Sequence, residues 1–71
     1  MDIRQQIGAR IQKIRKEAGL SQEGLALAAD LDRTYISHVE RGTRNPTVIV
    51  IFKIAKALDT TPSKIFENMN L

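Results

Sequence analysis

Apolar residues recur along positions 3–18 at helical spacing. Ile3, Ile7, Ile11, Ile14 and Ala18 follow one another at intervals of four, four, three and four, which stacks them on one stripe of a helix. Arg4, Arg10, Lys13 and Lys16 occupy the other side, and Gly19 supplies the stop. Gly8 inside this pattern costs about 1 kcal/mol relative to alanine, so it marks a close contact.

Ser21 is placed to cap a second helix over 22–29, although Gly24 stands where a capping box would want Glu or Gln. Leu25, Ala28 and Ala29 give that helix a buried side. Asp30 and Leu31 form a turn, Asp32 caps a third helix over 33–41, Ile36 and Val39 face inward, and Gly42 ends it. Residues 43–46 are a loop, and Thr47 is the next cap. The run Val48-Ile49-Val50-Ile51-Phe52 reads locally as a strand. Helix is nevertheless expected, because Val48, Ile51, Phe52, Ala55 and Leu58 stay in helical phase and no second strand exists to pair with the run. Thr61-Pro62 opens a fifth helix over 63–69, burying Ile65 and Phe66. The expected fold is all-α, a compact five-helix unit forming a single domain over 1–71.

Composition narrows the function. Seventy-one residues make one domain with a marginal core. With no cysteine and one histidine, disulfides and the usual zinc staple are excluded. No apolar run approaches the roughly 18 residues of a membrane span, and residues 1–5 lack the plan of a secretory signal, so a cytoplasmic protein is expected. There is no nucleophile–base pair, metal cluster or glycine-rich phosphate loop. Neither an enzyme, nor a metal, nor a cofactor, nor a small-molecule ligand is therefore expected. The net charge of +3 favours a polyanionic partner only weakly.

The informative stretch runs from Gly19 to Gly42. Two short helices joined by a tight turn, then glycine and a basic loop, are the layout of a DNA-reading helix-turn-helix. The third helix keeps Ile36 and Val39 on one side and sets Arg33, Thr34, Ser37, His38 and Arg41 on the other. Arginine is the favoured guanine reader, because its fork spans two acceptors. The second helix offers its N-terminal amides to a phosphate, with Gln22 beside them. Lys13, Lys16, Lys53, Lys56 and Lys64 are read as solvated.

The segments Ile14-Arg15, Gly19-Leu20-Ser21-Gln22, Leu25-Ala26, Ile36-Ser37, Glu40-Arg41-Gly42 and Asn45-Pro46-Thr47 together resemble the lambda-repressor-like (XRE-type) helix-turn-helix family over about residues 4–67. Residues 32–37 and 39–45 are similar to the controller proteins of restriction–modification systems. Those are small dimeric regulators that bind operators near their own gene and time expression of the endonuclease. The resemblance implies that Arg33, Thr34, Ser37 and His38 reach base edges. It implies phosphate-backbone contacts from Gln22, Tyr35, Thr43, Arg44 and Asn45, to which Arg41 is added, and a structural ion pair between Arg15 and Glu40. The chain departs from the family pattern at Gly24, usually acidic. Asp30 and Asp59 stand where glycine is usual, and Ile49 and Val50 where polar residues are.

Ile49 and Val50 are left over once the core side of the fourth helix is filled. With Ile65, Phe66, Met69 and Leu71 they are expected to form an exposed apolar patch. A homodimer through the helices within 48–69 is therefore expected. It would set two reading helices roughly 34 Å apart on a twofold-symmetric operator in double-stranded DNA, at the bacterial nucleoid. An antitoxin or phage-type repressor of the same fold, or a helical protein-interaction module, stays open as an alternative. The hydrophilic reading face speaks for DNA, since a protein-binding helix would carry more apolar and aromatic residues there.

Overall fold

A computed structural model describes residues 2–69. It contains α1 (Ile3–Glu17), α2 (Gln22–Ala29), α3 (Arg33–Arg41), α4 (Val48–Ala57) and α5 (Pro62–Ile65). There is no strand among the described residues. The run Val48–Phe52 is helical, as its continuity with the following turn required. Five side-chain caps start the helices. Ser21 Oγ accepts from the Gly24 amide at 2.9 Å, and Asp32 Oδ1 accepts from that of Thr34 at 2.7 Å. Thr47 and Thr61 cap α4 and α5 in the same way. The fifth cap was not anticipated: Asp2 and Gln5 form a full capping box at the head of α1. The hydrogen bond from the Gln5 amide holds the Asp2 carboxyl below its ordinary value of 3.8.

Asp30 and Asp59 adopt left-handed backbone with φ of 57° and 54°. Aspartate tolerates that region better than most residues, and at Asp30 it lets the chain turn between α2 and α3. α1 packs on α3 and α5, α2 on α3 and α4, and α4 on α5. The centre of the core is Ile11, Leu25, Ile36, Val39, Ile54 and Ile65.

Several expected registers are corrected. In α1, Ile3 is half exposed and Ala18 is the exposed C-cap. In α2, Ala26 is buried in place of Ala28. In α4, Ile54 fills the core with Ile51, Ala55 and Leu58, while Val48 and Phe52 are 73% and 59% exposed. The reason is compositional. Residues 48–52 are apolar on every side, so the pattern did not specify which stripe turns inward. α5 is a single turn ending at Ile65, with Asn68 already at φ 61°, and Phe66 is left largely outside.

Candidate nucleic-acid interface

α2 ends where Asp30 turns left-handed and the Leu31 amide returns to the Ala26 carbonyl at 2.8 Å. Asp32 then caps α3 in extended backbone. These few residues swing α3 across α2 and bury Ile36 and Val39. With its apolar side consumed, α3 leaves Arg33, Thr34 and Arg41 exposed and Ser37 and His38 half-buried.

Arg15 and Glu40 set the position of α3. Arg15 Nε donates to Glu40 Oε2 at 2.6 Å, and Nη2 donates to Oε1 at 3.0 Å. Arg15 Nη1 also donates to the Leu20 carbonyl at 2.8 Å. The two side chains are 9% and 1% exposed. The expected ion pair is therefore present and bidentate, and it ties α1, the loop before α2, and α3 together. The pair extends one step further. Gln22 Nε2 donates to Glu40 Oε1 at 3.1 Å, so the residue expected on a phosphate is first held by a buried carboxylate. Nothing in one dimension signals a link between positions eighteen apart.

Gln22, Arg33, Thr34 and Ser37 line one hollow of about 220 Å³. The structure thus brings together three of the four expected base readers with Gln22. His38 stands apart. Its Nδ1 lies 3.0 Å from Thr43 Oγ1 and 3.2 Å from Arg41 Nη2, and Thr43 Oγ1 donates to the His38 carbonyl at 3.1 Å. His38, Arg41 and Thr43 form a cluster at the C-terminal end of α3 and were not expected to touch. The i, i+3 spacing of His38 and Arg41 was the available signal. The Arg44 guanidinium lies over the Tyr35 ring, 5.2 Å from its centroid, which draws the basic loop toward α3. Asn45 is exposed beside it.

The expected apolar patch is redrawn. Ile65 is wholly buried and belongs to the core. It anchors the short α5, in which Pro62 is the other apolar residue and is only half-buried. Val50 and Met69 are half-buried, Val50 against the core. Ile49 is 70% exposed, as expected, but its neighbours on the surface are Val48 and Phe52, with Lys53 and Lys56 alongside. Phe66 adjoins through an apolar hollow of about 140 Å³, lined also by Ile7, Pro46 and Pro62. Leu71 lies outside the described residues. Among the described residues no acidic, histidine or cysteine cluster is arranged to hold a metal, and no helix is long and apolar enough to cross a membrane.

The helix-turn-helix family model matches residues 11–65. The chain belongs to the helix-turn-helix family, the class of DNA-binding regulators that its fold and its polar α3 face define. It is 42% identical over 69 residues to control protein C.MunI of Mycoplasma sp, covering 96% of this chain and 93% of that one. It is 45% identical over 67 residues to control protein C.BamHI of Bacillus amyloliquefaciens, covering 93% and 83% respectively. The crystal structure of the restriction–modification controller protein C.AhdI from Aeromonas hydrophila superposes with a TM-score of 0.87 at 44% identity, covering 89% of this chain and 96% of that one.

Proposed function

We propose that this chain is the controller of a restriction–modification system, acting in the bacterial cytoplasm at the nucleoid as a homodimer on a twofold-symmetric operator. The observation that carries this reading is the outward face of α3. Its hydrophilic residues are free of the protein's own interior, on a helix pinned from behind by the buried Arg15–Glu40 pair. Arg33, Thr34 and Ser37 read base edges in the major groove. Arg41, Thr43, Arg44, Asn45 and Tyr35 lie toward the flanking backbone and set register without reading sequence. His38 acts through its cluster with Arg41 and Thr43. The likeness to three controllers supports assignment to that group.

The dimer is assigned to the exposed apolar surface of α4 centred on Ile49, with Val48, Phe52 and Phe66 around it. A contiguous patch of this kind marks an interface. Selection of bound duplexes from a random pool tests the whole reading. A twofold motif with half-sites about one helical turn apart is expected. Failure to enrich any motif overturns sequence-specific regulation, and enrichment of a lone half-site overturns the dimer.

A further inference from the structure

His38 and Tyr35 each hold an arginine without neutralising it. Arg41 Nη2 lies 3.2 Å from His38 Nδ1, and the Arg44 guanidinium lies over the Tyr35 ring. A guanidinium only donates, so His38 Nδ1 has to be the bare, accepting nitrogen of an uncharged ring. A proton on Nδ1 would leave Arg41 with no acceptor there. The Thr43 hydroxyl fits the bare nitrogen, because it can give its proton to Nδ1, 3.0 Å away, or to the His38 carbonyl, 3.1 Å away. The Thr43 amide also returns to the His38 carbonyl at 3.0 Å, so a backbone bond seats Thr43 beside His38.

The kind of partner decides the charge. Arg15 sits on a carboxylate, and that pair is neutral as a whole. Among the described residues no carboxylate lies within ion-pair distance of Arg41 or Arg44. Both arginines are exposed. They are held, yet they keep their full charge. The C-terminal end of α3 is the negative pole of that helix, which opposes an anion. An arginine tied there to an acid would do little to offset the pole. One held by a neutral acceptor is ordered before binding, with its charge intact.

We propose that His38 is a positioning residue for DNA binding. Its neutral imidazole pre-orders Arg41 for a backbone phosphate at the C-terminal end of α3, without cancelling the charge that attracts it. This role rests on the DNA-binding function proposed above, and it moves His38 from the base readers to the support of a backbone contact.

The test measures the affinity of the full chain for its selected operator across salt concentrations. Arg41→Ala should flatten the slope of log affinity against log salt by about one, the mark of one lost phosphate contact. His38→Ala keeps every arginine, so it should leave that slope unchanged. It should weaken binding about two- to tenfold, the cost of ordering one side chain on association. With Arg41→Ala already in place, His38→Ala should cost nothing more. His38→Asn offers an acceptor close to where Nδ1 stood and should restore most of the affinity. Thermal unfolding reports whether His38→Ala folds. If it does not, His38→Leu, which keeps the bulk and lacks the acceptor, takes its place. The proposal is overturned if His38→Ala binds like wild type, if it weakens binding equally with and without Arg41, or if His38→Asn binds no better than His38→Ala. A slope changed by His38→Ala itself would overturn it too, as the sign of a direct charged contact from His38. An Arg41→Ala slope equal to that of wild type would remove the phosphate contact and the proposal with it. Wild type without affinity for duplex DNA would overturn the DNA-binding function itself, and this role with it.

Discussion

Gly8 of α1 meets the backbone of Val39 in α3 so closely that a β-carbon at position 8 would lie 2.4 Å from the Val39 carbonyl oxygen and 2.5 Å from that of Glu40. The obstacles are backbone atoms of a neighbouring helix, which cannot rotate out of the way. This approach brings Arg15 within reach of Glu40, so one glycine conditions the placement of the reading helix.

Gly8→Ala separates two opposing effects. Helix propensity favours alanine by about 1 kcal/mol. Overpacking against two carbonyls costs about 1–3 kcal/mol, occasionally more, and belongs at the upper end here because backbone must shift. Net destabilisation is expected, read as a Tm lowered by roughly 4–8 °C per kcal/mol. A variant more stable than wild type in thermal unfolding would show that the helices do not meet at this point.

Arg15→Ala leaves a buried carboxylate without its cation. Breaking such a pair costs about 3–5 kcal/mol, against a total stability of roughly 0.05–0.15 kcal/mol per residue. Urea unfolding should find the variant largely unfolded or nearly so. The double change Arg15→Met with Glu40→Leu should recover much of the stability, since an apolar pair of similar volume replaces two desolvated charges. A loss under about 1 kcal/mol for Arg15→Ala would contradict the burial of the pair.

Arg33 is exposed at the first turn of α3, so Arg33→Ala should leave the helical circular dichroism unchanged. It should remove about 1–3 kcal/mol of discrimination between operator and altered duplexes. Across salt concentrations, wild-type binding should fall linearly in log–log form, reflecting counterions released by phosphate contacts. Undiminished operator preference in the variant would move the reading face elsewhere.

Ile49→Glu places a charge at a position that is 70% exposed. The unfolding midpoint of the protomer should barely change. Sedimentation should show wild type as dimer and the variant as monomer at concentrations on the order of tens of micromolar. Wild type that remains monomeric there removes α4 as the dimer surface.

Acid titration probes the capping box. The Asp2 carboxyl is held below 3.8 chiefly by the Gln5 amide, with Arg4 assisting. A group whose folded value is depressed stabilises above its unfolded value, and that contribution fades as pH falls through the folded one. The Gln5 amide resonance should therefore titrate with a midpoint below 3.8. A midpoint above it would mean that the cap is not formed in solution.

Four of the five helix starts were legible because Ser21, Asp32, Thr47 and Thr61 are local signals that act within three residues. The polar side of α3 was legible for a related reason. Ile36 and Val39 are the only strongly apolar residues over 36–42, so the inward direction had one solution. α4 had no such asymmetry. Val48, Ile49, Val50, Ile51, Phe52 and Ile54 cover the helix on all sides, and only packing against α2 and α5 selected Ile51 and Ile54 for the core.

Local chemistry along the chain was thus enough to set where four of the five helices begin and which side of α3 stays wet, while the Arg15–Glu40 pair, 25 positions apart, was implied only by the family resemblance. Tertiary packing alone decided that Ile65 lies inside while Val48 and Phe52 lie outside. It also decided that Gln22 reaches Glu40 across eighteen positions, and that His38, Arg41 and Thr43 share one cluster. Capping and periodicity act over a few residues along the backbone, whereas burial and charge pairing depend on which surfaces the fold presses together.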